Sequence, residues 1–474
     1  MLLRHTLYYF TARGLPGLVN FAALAVFTRL LAPEEFGRYA LVVVGVGLAN
    51  VILFQWLRLV LARFYQANRH CREQYLGGVL ALFLSVAVPV TGAGLLLAMV
   101  WPDPLWQYLL LLSVILLLAQ AWFELNLSLA QAGVQPILYG KLSGTKAALS
   151  IVVGGSLAAL GWGASAPIVG LIVAHALSFI AFGWFAWRGV KPSLPGNDVL
   201  KSQLGYGLPL TVTFALSWVV SGSDRLLIAW LMDERSVGVY AAGYDLAFQT
   251  LMLVLTIINT AAFPLAVKAL ERGGAPAARR QLGENGQLIF VAAIAGGSGF
   301  VALAPQVVEI VIGAEFRSSA LAIFPWVVFA GAIAGIKAFH FDLAFQLGVA
   351  SRWLVLTGAV AALSNLVLNI LLIPSFGILG AAWATLAAFV ISALLSAVLG
   401  SRVFDMPPLG PMIGRALMIG GLSGGVAWLA AGQFTSVWSG LVSGLLAGTV
   451  VGLVACWLMN VAGVRARLQH RFPG

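Results

Sequence analysis

Charged residues are scarce in this chain of 474 residues. They make up 9% of it, whereas apolar side chains make up 61%. A soluble domain carries about 25% charged residues, because part of every soluble fold must face water. Mean hydropathy is +0.97. The composition excludes a soluble fold and predicts that lipid surrounds most of the chain.

Cysteine is also scarce, and long polar segments are missing. Cys71 and Cys456 lie far apart without metal-ligand spacing, which excludes a disulfide framework and a zinc site. No predicted loop is long enough to form a domain. Any chemistry is therefore expected inside the helical bundle or at its rims. The N-terminus lacks a small-residue cleavage site and is interpreted as an uncleaved start.

Apolar runs separated by short polar breaks predict an all-α integral membrane protein with about fourteen transmembrane helices, at about 20 residues per span. Proline and glycine mark the shortest breaks. The predicted spans are 12–32, 36–61, 76–100, 105–130, 142–162, 166–187, 205–231, 238–264, 286–304, 320–343, 353–373, 377–400, 411–431 and 437–461.

The distribution of the 27 Lys and Arg residues predicts the orientation. Most fall on the side of the N-terminus, and Lys146, at the start of span 142–162, is counted with them. This bias predicts that both termini are cytoplasmic. It also explains the net charge of +11 by contact with anionic lipid, so no nucleic-acid partner is expected. The exceptions are Arg38, Arg235 and Arg317 on the predicted outer side, and Arg29, Arg225 and Lys337 within spans.

Two predicted outer hairpins share a short pattern. "LLAPEEFGRYALV" follows the first span, and "LMDERSVGVYAAGY" follows the seventh. Each gives an acidic pair and then Gly-x-Tyr-Ala, with Gly37 and Gly238 separated by 201 residues. Both copies have the same orientation, which indicates a parallel repeat about an axis along the membrane normal. Transporters built in this way bind their substrates between the two halves.

Three stretches in order carry a family resemblance: "FTRLLAPEEFGRYALV" (27–42), "SDRLLIAWLMDERSVGVYAAGYDLA" (223–247) and "NLVLNILLIPSFGILGAAWATLAAFV" (365–390). The chain resembles the polysaccharide-transporter branch of the MOP superfamily, which holds the flippases of lipid-linked oligosaccharides.

The resemblance implies two six-helix lobes around a central cavity, followed by two further helices. The expected parts are an N-terminal lobe at 1–190, a C-terminal lobe at 191–405, and helices 13 and 14 with a cytoplasmic tail at 406–474. It also implies a monomer in the bacterial inner membrane that moves undecaprenyl-diphosphate-linked glycan to the outer leaflet by alternating access. A polysaccharide polymerase machinery is the expected protein partner. Neither catalysis nor a cofactor is expected, apart from Na⁺ or H⁺ as a coupling ion.

Such a cargo needs cations to bind its diphosphate. Arginine suits this role because its planar guanidinium group donates paired hydrogen bonds to phosphate oxygens. Arg225 is the main candidate, since a charge in the outer half of span seven requires a partner or a watery cavity. A structural ion pair that orients the span is the alternative. Arg29 and Lys337 are cavity candidates that can instead snorkel to a rim. Arg13 and Arg58 lie closer to the inner rim, where anchoring the topology is the alternative role.

Acidic and amide side chains are candidates for ion coupling. Glu124 and Asp245 each have a glutamine one turn away, and either relays protons or braces neighbouring helices. Asn365 and Asn369 share a helix face, and Thr385 follows in the next span. With Asp224, these three predict a sodium site of the kind that spans seven, eleven and twelve form in some flippases of the resembled family. Asn369 stands where a second carboxylate would strengthen such a site, and helix–helix adhesion is the alternative.

Two other functions compete with the flippase. A multidrug or cation efflux antiporter of the same superfamily would have the same fold, but its cavity would need acidic and aromatic groups. A membrane glycan polymerase, ligase or acyltransferase would need a sizeable outer loop or intramembrane His and Asp for acid–base work. The short loops and the deep cations favour an anionic, lipid-linked cargo.

Overall fold

The computed structural model describes residue 19 and residues 21–463, and this part of the chain is helical almost throughout. No strand occurs within these described residues. The helices are α1 (Phe21–Leu30), α2 (Pro33–Phe64), α3 (Arg72–Val100), α4 (Pro104–Ala132), α5 (Pro136–Ala159), α6 (Ser165–Ser178), α7 (Asn197–Leu231), α8 (Glu234–Ala302), α9 (Ala304–Val311), α10 (Arg317–Ile336), α11 (Leu343–Leu347), α12 (Arg352–Val403), α13 (Gly410–Ala431) and α14 (Val437–Leu458).

Eleven helical segments of the described chain are long and apolar enough to cross a membrane, which confirms an all-α multi-pass protein. Two of them are much longer than a bilayer requires: α8 has 69 residues and α12 has 52. Each contains a glycine in the left-handed region, Gly274 with φ 66° and Gly377 with φ 57°. A non-glycine residue is strained at such angles. Each long helix therefore bends at a glycine and covers two of the predicted spans.

Contacts divide the chain into two compact units, one ending at Gly238 and the other beginning at Val239. This division falls after α7, whereas the lobes expected from the sequence divide at 190 and 191. The expected lobe boundaries remain a prediction.

The first unit is held by aromatic side chains and by close helix contacts. Trp122 of α4 lies 4.6 Å from Trp187 and 5.5 Å from Phe179, measured between ring centroids. Helices α5 and α6 touch through Gly154 and Gly170, where an added Cβ on Gly170 would lie 2.6 Å from the Gly154 Cα. Small residues at such contacts let membrane helices pack backbone to backbone.

The second unit packs α10 against α12 and α13 against α14. A π-helical turn, Lys337–Phe341, follows α10 and turns its polar side chains into the unit. Gln287 of α8 joins α13 to the turn that follows α14, because its Oε1 accepts from Arg415 Nη1 at 3.2 Å and from the Ala462 amide at 2.8 Å.

Candidate functional site

The two hairpins that share the sequence pattern touch each other. We call this the hairpin contact: residues 33–38 at the start of α2 against residues 234–238 at the start of α8. The Glu234 carbonyl occupies the space that a Cβ on Gly37 would need, and the Pro33 carbonyl does the same at Gly238. Because Pro33 and Glu234 are the equivalent residues of the two hairpins, the contact is reciprocal. Only glycine permits this approach on both sides.

Ion pairs flank the hairpin contact. Arg38 Nε pairs with Glu234 Oε2, and Trp106 Nε1 of α4 donates to Glu234 Oε1 at 2.9 Å. Arg235 Nη1 pairs with Glu34 Oε1 at 2.9 Å in a more exposed position. Each hairpin supplies one acid and one arginine. The arginine of each pair therefore comes from a different hairpin. Sequence reasoning missed these partners, although it placed both arginines among the three cations of the predicted outer side.

Arg58 and Glu124 form an ion pair between α2 and α4, with side chains 17% and 25% exposed. The Glu124 carboxylate also accepts from Asn50 Nδ2 at 2.8 Å and from Gln120 Nε2 at 2.9 Å. Asn50 was absent from the predicted set. This geometry fits the second role predicted for Glu124, a brace between neighbouring helices, and it gives Arg58 a partner on another helix. It does not test proton relay by Glu124 or contact of Arg58 with the cargo.

Asp224 and Arg225 occupy the last third of α7. The Asp224 side chain is 1% exposed, whereas Arg225 is half-buried. Arg225 is six residues from the end of α7 at Leu231, or about 9 Å along a helix of 1.5 Å per residue. The structure thus places the two neighbouring charges in different surroundings, as adjacent helical positions require.

Arg29 and Lys337 meet different environments. Arg29 is exposed at the end of α1, and its Nη1 donates to the Ala25 carbonyl at 2.8 Å. Lys337 Nζ pairs with Asp342 Oδ2 at 2.8 Å, and Ser396 Oγ donates to Asp342 Oδ1 at 2.9 Å. The Lys337 and Asp342 side chains are 12% and 11% exposed. The Lys337 charge is therefore compensated within its own unit. Arg13 lies outside the described residues.

The predicted ion-coupling residues of α12 come together. Asn365, Asn369 and Thr385 are each 0% exposed. Asn365 Nδ2 donates to Thr385 Oγ1 at 3.2 Å across the bend at Gly377, and Asn369 Nδ2 donates to the Asn365 carbonyl at 2.9 Å. Buried amide and hydroxyl oxygens are ligands that a hard cation accepts. Asp224 belongs to the other unit, so its place in such a site remains a prediction.

The last predicted coupling residue, Asp245, accepts a hydrogen bond from Gln249 Nε2 at 3.2 Å on the first arm of α8. Within the described chain, no three His, Cys, Asp or Glu side chains cluster in a way that could hold a metal ion. The sodium hypothesis therefore depends on the amide and hydroxyl oxygens of α12.

The structure moves one cation of the charge count deeper into its helix. Lys146 was expected near the inner rim, but α5 begins at Pro136, six residues before the predicted span. Lys146 is therefore ten residues inside the helix. Hydropathy placed the span too late because Lys141 interrupts the apolar run in the first turns of α5.

Comparison with known proteins identifies the family. The model of the polysaccharide biosynthesis protein family matches residues 26–321, which is more than half of the chain. The chain belongs to this family. A curated relative from Erwinia amylovora, the amylovoran biosynthesis protein AmsL, is 29% identical over 103 residues. That match spans 22% of this chain and 26% of the relative.

Solved structures show the fold of this polysaccharide biosynthesis protein. The lipid II flippase MurJ in an inward closed conformation matches with a TM-score of 0.77, over 95% of this chain and 98% of that chain. An inward-facing multidrug resistance MATE transporter of the MOP superfamily matches with a TM-score of 0.62, over 82% and 94%. A MOP superfamily transporter from Pyrococcus furiosus gives 0.59, over 84% and 94%. Each is 14% identical, so the likeness establishes the MOP transporter fold alone.

Proposed function

We propose that this protein is a flippase that moves a polyprenyl-diphosphate-linked glycan, of the undecaprenyl type, from the cytoplasmic to the outer leaflet of the bacterial inner membrane. The observation that carries the proposal is the family match across residues 26–321 in a chain with the MOP transporter fold. A polysaccharide built on a lipid carrier must cross the bilayer before it is assembled outside. A helical transporter without a sizeable loop domain is suited to that step.

Charge supports the choice of cargo. Arg225 is half-buried in α7, and Asp224 beside it is 1% exposed. Charged groups at membrane depth mark pathways for substrates and ions. In our account Arg225 binds the diphosphate, and Arg29 and Arg13 guide it at the rims. Arg58 and Lys337 form ion pairs that hold helices in place. Their contribution to binding the diphosphate is therefore secondary to that of Arg225.

Ion coupling is the second part of the proposal. Asn365, Asn369 and Thr385 form a buried polar group on the two arms of α12, next to a bend. We propose that sodium binds to these amide and hydroxyl oxygens, and that binding biases the equilibrium between inward-open and outward-open states. Proton coupling through Asp245 is the alternative.

The hairpin contact supplies the gate in this account. With both termini in the cytoplasm, residues 33–38 and 234–238 lie on the outer side, where they close the exit. Opening to the outside must break the reciprocal glycine contact and both ion pairs together. We propose that the protein works as a monomer and delivers its glycan to a polymerase outside.

The proposal is tested in cells that lack the protein. A flippase predicts that lipid-linked glycan accumulates on the cytoplasmic leaflet, where a membrane-impermeant lectin cannot reach it in intact spheroplasts but does after lysis. If the protein is instead a polymerase or ligase, the lectin labels the glycan on intact spheroplasts. A drug antiporter predicts normal glycan assembly with increased sensitivity to organic cations.

A further inference from the structure

Lys146 lies at the middle of a membrane-spanning helix. Helix α5 runs from Pro136 to Ala159, 24 residues, so Lys146 is within two residues of its midpoint. Ten residues from Pro136 correspond to about 15 Å of helix, which is too far for the ammonium to snorkel to the inner rim. The substrate sites of transporters lie at this depth.

Lys146 lies on the protein side of α5. Leu142 and Ser150, one turn before and after it, are 1% and 8% exposed. Ala148 and Val152 belong to the opposite, exposed strip of the helix. Lys146 itself is half-buried. Its charge therefore points towards the interior of the first unit and not into the lipid.

Among the residues that the structure describes, Lys146 forms no ion pair or hydrogen bond with a carboxylate or any other group. Arg58 and Lys337, by contrast, are each paired with an acid. The neighbouring polar group is His175 of α6, 4% exposed, which lies close enough for the lysine charge to act on it.

The helices around Lys146 pack closely. Gly154 and Gly170 bring α5 and α6 into backbone contact, and the His175 ring lies 4.9 Å from Phe123 of α4. A cation at mid-membrane that has no counter-ion among the described residues destabilises the resting protein. An anion that arrives there relieves this cost, so the arrangement favours a negatively charged ligand.

We infer that Lys146, assisted by the imidazole of His175, is a binding site for the diphosphate of the cargo at the midpoint of its crossing. This inference rests on the proposed function. The diphosphate leaves the inner rim, contacts the ammonium half-way, and passes on towards Arg225. Lysine binds phosphate as a point charge, whereas arginine forms bidentate hydrogen bonds with it.

The test uses the full chain reconstituted in vesicles with polyprenyl-diphosphate-linked glycan, and scores leaflet transfer with an impermeant lectin. Lys146→Met keeps the length of the side chain and removes the charge. We expect the initial transfer rate to fall by about tenfold, and Lys146→Arg to retain most of it, because the charge–phosphate contact is what is lost. Lys141→Met, on the same helix but exposed and near its inner end, is the matched control and is expected to transfer normally.

Melting temperature separates a binding role from a structural one. Because the charge has no partner, Lys146→Met is expected to melt at the wild-type temperature or higher. Normal transfer by Lys146→Met overturns the inference, and so does a loss of transfer with a lower melting temperature that arginine does not restore. If the wild-type protein transfers no glycan, the proposed function itself fails, which is a different outcome.

Discussion

Gly37 and Gly238 pack against each other's hairpins through backbone atoms alone. The carbonyl of Glu234 lies against Gly37, and the carbonyl of Pro33 lies against Gly238. The two residues occupy equivalent places in a pattern that recurs at a separation of 201 residues in the sequence. This close backbone approach is flanked by the ion pairs of Arg38 with Glu234 and of Arg235 with Glu34, which suits a gate.

Replacing either glycine by alanine is expected to open this gate. Gly37→Ala or Gly238→Ala places a methyl group where the facing carbonyl lies, so the hairpins must separate. The expected result is increased labelling of a cysteine at Val42 by an impermeant thiol reagent, in a chain whose Cys71 and Cys456 have been replaced. Gly45→Ala is the control, because nothing lies within 4 Å of its added Cβ. Equal labelling of all three variants would contradict the gate.

The pair of Arg38 and Glu234 is expected to show charge-swap rescue. Arg38→Glu or Glu234→Arg alone places like charges together across the hairpin contact. Each single variant is expected to lose roughly tenfold in transport, and the double variant to recover most of it, because contacting residues couple by about 0.5–3 kcal/mol. Transport by the four proteins forms a double-mutant cycle. Independent effects in the two single variants would show that the pair does not control opening.

Arg58 and Glu124 are expected to act as a brace. Glu124→Ala leaves Arg58 with no acid at the ion-pair position, and removal of one partner of a buried pair costs about 3–5 kcal/mol. The melting temperature is expected to fall. The double variant Arg58→Met with Glu124→Met is expected to recover stability, because no buried charge then lacks its partner. If Glu124→Gln stops transport at an unchanged melting temperature, Glu124 relays protons and the brace is the wrong role.

Arg225→Ala is expected to abolish glycolipid transport while the protein still inserts and folds. The cause is loss of the cation proposed to bind the diphosphate, and Arg225→Lys is expected to restore part of the rate. Arg402→Ala is the matched control, because Arg402 is exposed at the end of α12. Transport is measured with reconstituted protein, and size-exclusion chromatography checks folding. A normal rate in Arg225→Ala would remove this residue from the mechanism.

The polar group on α12 predicts dependence on sodium. Thr385→Val and Asn365→Leu are expected to remove the stimulation of transport by an imposed sodium gradient. Thr357→Val is the control, because Thr357 is equally buried on α12 but lies outside the group. If collapse of a proton gradient alone stops wild-type transport, the sodium site is wrong and the asparagines serve as helix contacts.

Hydropathy predicted the membrane-spanning helices well, because lipid imposes a long apolar run on each of them. The sequence also indicated the bends of the long helices, since Gly274 lies in a predicted break and Gly377 begins the predicted span that follows one. The repeated Gly-x-Tyr-Ala pattern at Gly37 and Gly238 indicated two related hairpins, and the structure brings these hairpins into contact. The number of spans and the symmetry of the lobes remain predictions.

The partners of the charges were beyond sequence reasoning. Arg38 and Glu234 are 196 residues apart in the sequence, and Asn50 and Glu124 are 74 residues apart. No local periodicity connects the members of either pair. Lys146 was assigned to the wrong depth because a helix that begins with Pro136 extends through polar turns that a hydropathy window assigns to a loop. Pairing depends on which helices become neighbours, and hydropathy carries no information about that.

Movement of a lipid-linked glycan across a bilayer can be measured with purified wild-type protein alone. The protein is placed in vesicles loaded with polyprenyl-diphosphate-linked glycan on one leaflet, and arrival of the glycan on the other leaflet is scored by an impermeant lectin. We expect transfer that is much faster than in protein-free vesicles and that increases with an imposed ion gradient. Transfer no faster than in protein-free vesicles, under sodium, proton and potential gradients alike, would contradict it.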